Sequence, residues 1–298
     1  MRNTRIAAPI SVVIPAHNAE KFIQQAIESV HAQTLPVTEL IVVTDDCSDE
    51  TESIAEALGA TVIKVSARNI SAARNAGVRA ATQKWIAFLD ADDFWTADKI
   101  ECQWKAIESF PDPAVVSCDF YVLYDGATLP PSDKALRMRR DSIACPVIIT
   151  KEGTYFSKVD GRVLRWFEIG PQAVMIRRDV FETSGLFDEQ LVYLQDIEYF
   201  ARALRDHSLV MIEQPLVYRR LRADSHSANS EGKWAAYFSI VDRMLRHPDQ
   251  YPPLAGEQYR EHLKLVFASN ERALAEKRQK EATSRSSAPL RVQPGKGE

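Results

Sequence analysis

Glycine is scarce in this chain, with 11 among 298 residues. Average usage near 7% would supply about 20. The segment after the first predicted strand, Ala16-His17-Asn18-Ala19, has neither the glycines nor the lysine of a phosphate-cradling loop, which argues against a nucleotidyltransferase. Cysteine is sparse too. Cys47, Cys102, Cys118 and Cys145 stand far apart with no C-x-x-C pair, so neither a zinc site nor a disulfide framework is expected, and a reducing cytoplasm suits the chain. No apolar run approaches the ~18 residues of a membrane span. Arg2, Arg5 and the stretch from Ile6 to Ala16 have the order of a secretory leader, but Pro9 and Pro15 interrupt it. Neither sign of charge dominates: 37 Lys and Arg face 41 Asp and Glu, a net charge of −4 at pH 7. A general nucleic-acid binder would be markedly basic, so no nucleic-acid partner is expected. Internal repeats are absent.

What remains is globular material, 45% apolar and 26% charged, long enough for one large α/β domain. Ile10 to Ile14 predicts a strand closed by Pro15, after which Phe22, Ile23, Ala26, Ile27 and Val30 recur at helical spacing. Leu40 to Val43 predicts a second strand, and Asp49 with Glu52 a capping pair for a helix carrying Ile54, Ala57 and Leu58. Thr61 to Val65 is a third strand, Ser71 to Ala81 an Ala-rich helix, and Trp85 to Leu89 a fourth strand. Strands alternating with helices imply a parallel, doubly wound α/β sheet whose loops after Ile14, Val43 and Leu89 share one edge. Beyond a helix starting near Thr96, further strands are expected at Val115 to Cys118, Phe120 to Tyr124, Gln172 to Arg177, Leu209 to Ile212 and Leu216 to Arg219. Helices are expected from Asp179 to Gly185 and from Asp196.

The fourth strand runs into Asp90-Ala91-Asp92-Asp93. In an open α/β sheet the carboxyl end of a central strand faces the ligand crevice, so acids there meet a ligand without entering the core. Asp90 and Asp92 suit a hard divalent cation, Mg²⁺ or Mn²⁺, which takes oxygen ligands and shares them with substrate phosphates. Standing alone, D-x-D is explained as well by a solvated loop that caps the next helix.

It does not stand alone. Ser11-Val12-Val13-Ile14-Pro15-Ala16-His17-Asn18-Ala19, Val43-Thr44-Asp45-Asp46-Cys47-Ser48-Asp49-Glu50-Thr51, Ser71-Ala72-Ala73-Arg74-Asn75-Ala76-Gly77, the acidic motif, and Gly185-Leu186-Phe187-Asp188-Glu189 with Gln195-Asp196 follow in order. As a set they resemble glycosyltransferase family 2, the inverting nucleotide-sugar enzymes of GT-A fold. The resemblance covers about Ile10 to Ser227. It implies a donor pocket in which Pro15, Ala16, His17 and Asn18 meet the nucleotide, with His17 where the family places an aromatic residue against the base. Asp45 would accept a hydrogen bond from the imide N–H of uracil or thymine, with guanine left open, and Arg74 would contact the nucleotide or its diphosphate. Asp90 would hold ribose or metal, and Asp92 would ligate the metal directly.

On the acceptor side the resemblance implies that Asp196 removes the proton from the attacking hydroxyl, with Gln195 where Glu is usual. His226 would be a late histidine that helps hold metal or diphosphate. Thr44 and Asp46 replace the usual first acid and glycine of the second motif. The implied cofactor is Mn²⁺ or Mg²⁺, which stabilises charge on the departing diphosphate. The implied partners are a nucleotide-sugar donor, UDP-linked by preference, and a glycan or glycolipid acceptor in surface polysaccharide synthesis.

This reading divides the chain into a catalytic domain over 1–228, with a donor half at 8–118 and an acceptor half at 119–228, then a helical extension over 229–281 and a disordered tail over 282–298. The extension carries two apolar stripes, Trp234, Phe238, Val241 and Leu245, then Leu263, Val266 and Phe267. Lys134, Arg137, Arg139 and Arg140 read as a solvated face, with a phosphorylated acceptor as the alternative. Two other functions compete: a non-catalytic nucleotide or glycan binder of the same fold, and a D-x-D phosphotransferase of the haloacid-dehalogenase type. The second needs a threonine where Asp93-Phe94 stands. A cytoplasmic enzyme is expected, peripheral to the inner face of the membrane where its acceptor is lipid-linked.

Overall fold

Alternation along the first strand decides the architecture. In β1 (Ala8–Ala16), Ile10, Val12 and Ile14 enter one apolar cluster and Val13 the opposite one, so both faces of the strand are covered. A computed structural model describes residues 7–124, 127–129, 147–159, 170–221, 230–253, 257, 260 and 261. After β1 come α1 (Ile23–His31), β2 (Val37–Asp45), α2 (Thr51–Ala57), β3 (Thr61–Val65), α3 (Ile70–Ala80), β4 (Trp85–Phe88), β5 (Phe94–Trp95) and α4 (Lys99–Ser109). The second half contains β6 (Val115–Tyr124), β7 (Ala127–Leu129), β8 (Val147–Thr150), β9 (Gly153–Phe156), a 3₁₀ turn at Pro171–Ala173 and β10 (Val174–Arg177). It closes with α5 (Asp179–Ser184), α6 (Gln195–Ala203), β11 (Leu209–Leu221), α7 (Ser230–Arg246) and a 3₁₀ turn at Pro248–Gln250.

The strands form one sheet in the order β3-β2-β1-β4-β10-β6-β11-β9-β8, with β5 on β11 and β7 on β6. β1 to β4 pair in parallel as expected, and β6 pairs with β11 in parallel. Between these blocks β10 runs antiparallel to both β4 and β6, so the sheet is mixed. The carboxyl ends of β1, β2, β4, β6 and β11 consequently reach the same edge. Helices α1 and α4 cover the face that holds Val12, Ile14 and Ala87, while α3, α5, α6 and α7 cover the face that holds Val13, Ile86 and Phe88.

Several expectations change. The strands read separately at Val115 to Cys118 and Phe120 to Tyr124 are one strand, and so are those at Leu209 to Ile212 and Leu216 to Arg219, where Pro215 is absorbed in register shifts. Gln172 lies in the 3₁₀ turn, not in β10. Asp49 forms no box with Glu52: its Oδ1 accepts from the backbone and hydroxyl of Thr51 at 3.1 and 2.6 Å, its Oδ2 accepts from Glu20 N at 3.0 Å, and Glu52 pairs with Lys64. Phe238 of the first extension stripe is exposed, and α7 instead buries Ile240, Val241 and Met244. His226, Leu263, Val266, Phe267, the basic cluster from Lys134 to Arg140, the Trp234 side chain and residues 282–298 lie outside the described residues. Among the described residues no helix is long and apolar enough to cross a membrane.

Gly77 sets how closely α3 approaches β1. A Cβ there would stand 2.2 Å from Val13 Cγ1, inside a branched, buried side chain that cannot swing away. Gly77→Ala gains ~1 kcal/mol of helix propensity but overpacks the core at a cost of roughly 1–3 kcal/mol or more. A lower Tm is expected; a wild-type or higher Tm would show that α3 can lift without penalty.

Candidate functional site

The loops after β1 and β2 are pinned to each other. His17 Nδ1 donates to the carbonyl of Asp45 at 2.5 Å, which leaves Nε2 as the acceptor on an exposed ring. Asn18 Oδ1 accepts from Ser48 N at 2.8 Å. Pro15 and Ala16 are the buried last residues of β1, opposite Val43 and Thr44, so of the four residues expected at the nucleotide only His17 and Asn18 present exposed side chains. Asn18, Asp46 and Arg68 have φ of 46°, 51° and 48°. Left-handed non-glycine residues carry strain that clusters at functional loops. Asp46 thus keeps the conformation for which glycine is usual at its position, and an Asp tolerates it better than most side chains.

Asp45 is buried, and its carboxylate serves the next loop. Oδ1 accepts from Ala67 N and Arg68 N at 2.8 Å each, and Oδ2 accepts from Asn69 N at 2.7 Å. Residues 67–69 lead straight into α3, whose Asn69 side chain caps it by accepting from Ala72 N at 3.0 Å. Asp45→Ala leaves three backbone donors without their acceptor, at roughly 1–3 kcal/mol each. A lower Tm is expected, and if Asp45 lies under a nucleotide pocket, as the resemblance implies, donor KM should rise more than kcat falls. Unchanged KM and unchanged discrimination among UDP, GDP and CDP would detach Asp45 from the base pocket.

Arg74, on α3, is buried among apolar neighbours. Its Nη2 donates to Asp90 Oδ1 at 2.9 Å and its guanidinium carbon lies 5.7 Å from the Phe187 ring centroid. Its Nε and Nη1, and the hydroxyl of Ser71 one turn earlier, are buried with no partner among the described residues. A buried guanidinium with idle donors is costly unless something anionic meets it. The neighbouring Asn75 also reaches Phe187, through its backbone: Nδ2 donates to Phe187 O at 2.9 Å and Glu189 Oε1 at 2.8 Å, and Oδ1 accepts from Phe187 N at 3.0 Å. Of two adjacent residues, then, Arg74 pairs with the acidic motif while Asn75 staples the Gly185 to Glu189 loop.

The acidic motif is held from β11. Arg220 N donates to Asp93 Oδ1 at 2.8 Å, and its guanidinium reaches the Asp92 carbonyl and Gln25 Oε1 while lying over the rings of Phe22 and Phe94, at 5.3 and 4.9 Å. Burial, then the charges of Asp90 and Asp92, push Asp93 well above the usual carboxylate range. Asp93 is therefore the pin of the loop. Arg219 lies 5.8 Å from the Phe120 ring, near enough for its charge to be felt at both Asp93 and Asp196. Neither arginine stood out in the sequence. Their signal in the sequence is Tyr218-Arg219-Arg220 near the end of a strand whose carboxyl end reaches the same edge as the acidic motif.

Asp196 sits in the first turn of α6. It does not cap the helix: Leu194 occupies the cap in a left-handed conformation, φ 58°, without a side-chain bond. Asp196 Oδ1 accepts from Ile197 N at 2.9 Å. Desolvation raises its pKa above the ordinary aspartate value, while Arg74, the Ile197 N–H and Arg219 pull it down and Asp90 adds to the rise. The charges of Arg74, Arg219 and Asp90 are felt at Asp196, so it lies within electrostatic range of the Arg74–Asp90 pair.

Among the described residues, the acidic motif offers a metal two carboxylates, those of Asp90 and Asp92. Asp90 engages Arg74 through Oδ1 with its side chain 28% exposed, and Asp92 is half-buried. Among the described residues no three His, Cys, Asp or Glu gather as a metal centre. Two carboxylates fit a hard cation that completes its shell with diphosphate oxygens and water, as Mg²⁺ commonly does.

A family model described as "Glycosyl transferase family 2" matches residues 11–184, more than half of the chain. An uncharacterized glycosyltransferase of Rickettsia prowazekii is 27% identical over 221 residues, covering 72% of this chain and 64% of the relative. The chain thus spans just under two thirds of that protein's length. The amylovoran biosynthesis glycosyltransferase AmsB of Erwinia amylovora is 28% identical over 254 residues, covering 80% and 78%. WfgD of Escherichia coli, a UDP-Glc:alpha-D-GlcNAc-diphosphoundecaprenol beta-1,3-glucosyltransferase, is 39% identical over 98 residues, 32% of this chain and 39% of WfgD. Among solved structures, S. aureus TarS 1-349 in complex with UDP-GlcNAc superposes with a TM-score of 0.61 at 18% identity, covering 79% of this chain and 66% of that one. The mannosyltransferase PcManGT of Pyrobaculum calidifontis, in complex with GDP-Man and Mn²⁺, gives 0.62 at 15% identity, covering 96% and 77%. At these identities the structural likeness establishes the fold.

Proposed function

Because the chain belongs to glycosyltransferase family 2, we propose that it moves a sugar from a nucleotide-diphosphate donor, a UDP-sugar, to a hydroxyl of a glycan or glycolipid with inversion at the anomeric carbon. The observation that carries this reading is the buried Arg74, paired to Asp90 of the acidic motif on one nitrogen and idle on two, with its charge felt at Asp196. Idle guanidinium donors suit a diphosphate oxygen. His17 and Asn18 would flank the base, and the loop anchored by Asp45 would form the floor beneath it. Asp90 and Asp92 would hold Mn²⁺ or Mg²⁺, which supplies Lewis-acid stabilisation of the leaving diphosphate. Asp196 would take the proton from the acceptor hydroxyl, a role that its raised pKa favours.

Donor and setting draw on the relatives. TarS was solved with UDP-GlcNAc, WfgD takes UDP-Glc, and PcManGT was solved with GDP-Man, so UDP leads and GDP is the arm to test beside it. AmsB acts in amylovoran biosynthesis and WfgD on a diphosphoundecaprenol-linked sugar, which supports a role in surface polysaccharide assembly at the inner face of the membrane. Thermal-shift titration with UDP-, GDP- and dTDP-sugars, each with and without Mn²⁺, tests the proposal. A ligand at 100 times its Kd adds about 2.7 kcal/mol of stability, so one donor should raise Tm by several degrees, more so with Mn²⁺. No shift with any nucleotide sugar would overturn it.

A further inference from the structure

The helix that carries Asp196 is anchored from behind. Glu198, two residues on, is buried in the apolar cluster that contains Phe187, Tyr199 and Phe200. Its Oε1 accepts from Arg202 Nε at 3.0 Å and from the Tyr251 hydroxyl at 2.9 Å, and its Oε2 accepts from Arg202 Nη2 at 3.0 Å. Arg243 Nη1 stands 4.0 Å from Oε1 and donates to Asp188 Oδ2 at 2.7 Å. Arg202 also donates to the carbonyls of Ser184 and Leu186. Two guanidiniums thus neutralise two carboxylates, and one guanidinium and the phenol belong to the segment that follows β11. Ile240, Val241, Met244 and Tyr251 seal the cluster from that side.

Helical geometry turns this anchor into an aiming device. At 100° per residue, Asp196 and Glu198 project about 200° apart, with Glu198 in the core and Asp196 on the other side, where the charges of Arg74 and Asp90 are felt. The first turn of α6 has no side-chain cap and starts from left-handed Leu194, so its own terminus holds it weakly. The grip on Glu198 adds a directional hold to the roll of α6 that the buried Ile197, Tyr199, Phe200 and Ala201 set by packing. Arg243 adds a second hold through Asp188, next to Phe187, whose ring faces the Arg74 guanidinium.

We propose that Tyr251 and Arg243 are positioning residues for sugar transfer: through Glu198 and Asp188 they set the roll of α6 and the aim of Asp196. This rests on Asp196 being the base, as proposed above. The test uses the full chain with the donor found by thermal shift, and compares Tyr251→Phe, Arg243→Gln, Arg243→Lys and Asp196→Asn. Tyr251→Phe keeps the ring and removes only the hydroxyl, so it should fold. Expected results are a kcat lowered roughly 10- to 100-fold in Tyr251→Phe and Arg243→Gln, as small misplacements of catalytic groups can cause, with donor KM and UDP affinity unchanged. Arg243→Lys, which keeps the charge facing Asp188, should recover part of the loss. Amide exchange over residues 195–199 should quicken in the two impaired variants. If Asp196→Asn is inactive while Tyr251→Phe and Arg243→Gln keep wild-type kcat and exchange, with only Tm lowered, the segment merely stabilises and the positioning role is wrong. Normal transfer by Asp196→Asn would remove the base assignment and the positioning role together.

Discussion

Asp196→Asn should lower kcat for sugar transfer by at least ~100-fold and leave UDP affinity in Mn²⁺ near wild type, since positioned general bases contribute on the order of 10²–10⁴-fold. The substitution is a clean one here. Asp196 forms no helix cap, and the bond it accepts is from the adjacent Ile197 N–H, which an amide oxygen can also accept. Folding should benefit. Desolvation raises the folded-state pKa, so the folded protein binds this proton more tightly than the unfolded chain. The residue therefore costs stability as pH rises above the ordinary aspartate value, and that cost is complete once pH exceeds the raised folded-state pKa. Tm of the Asn variant should exceed wild type at pH 7, with the gap closing in acid below the ordinary range. Activity follows the opposite sign, since kcat is lost as pH falls through the raised pKa. Arg219→Gln, which removes a charge that lowers this pKa, should shift the acid limb to higher pH. Near-normal transfer by Asp196→Asn would sink the assignment.

Asp92→Asn carries the second large effect. If Asp92 ligates a cation shared with the diphosphate, one substitution weakens two ligands at once. Lewis-acid stabilisation of a leaving group amounts to several kcal/mol, and 1.36 kcal/mol is tenfold in rate, so kcat/KM should fall by at least ~100-fold in limiting Mn²⁺. Calorimetry should find Mn²⁺ and UDP each bound more weakly, with less enhancement of one by the other. Asp93→Asn is the contrast. Asp93 holds Arg220 N through Oδ1, a bond that an amide oxygen retains, so Mn²⁺ dependence should stay close to wild type. Equal losses in the two variants would mean that loop integrity, and no metal contact, lies behind both.

Periodicity found the first four strands because β1, β2, β3 and β4 are short apolar runs separated by helices, and such runs announce themselves whatever they pair with. It was blind to direction. Val174-Met175-Ile176 reads as a buried strand, but nothing in a run of apolar residues says that it lies antiparallel to β4 and β6. β5 has two residues, too few to carry a period, and the continuity of β11 through Pro215 depends on a register shift against β6 that the strand's own residues do not encode. The site followed the same division. Asp90, Asp92, Arg74 and Asp196 were legible because each belongs to a compact motif. Asn75, Arg220 and Glu198 act through partners 112, 127 and 53 positions away, a pairing that only the folded chain reveals. Asp45 was legible as important, while its three backbone partners were not.

The antiparallel strand has a consequence for biogenesis. β4 lies inside the finished sheet, but its neighbour on one side is supplied by residues 174–177, about 90 positions later. At ~5–20 residues per second, a ribosome needs roughly 5–20 s to deliver that partner. Through this interval Trp85-Ile86-Ala87-Phe88 is an apolar strand with one open edge, the kind of template on which other chains can pair. Slowing synthesis between residues 88 and 174 should lengthen this exposure and raise the aggregated fraction, whereas the same delay placed after residue 221 should not. Solubility of this protein on overexpression is then governed by the timing of one four-residue strand, independently of the stability of the completed fold.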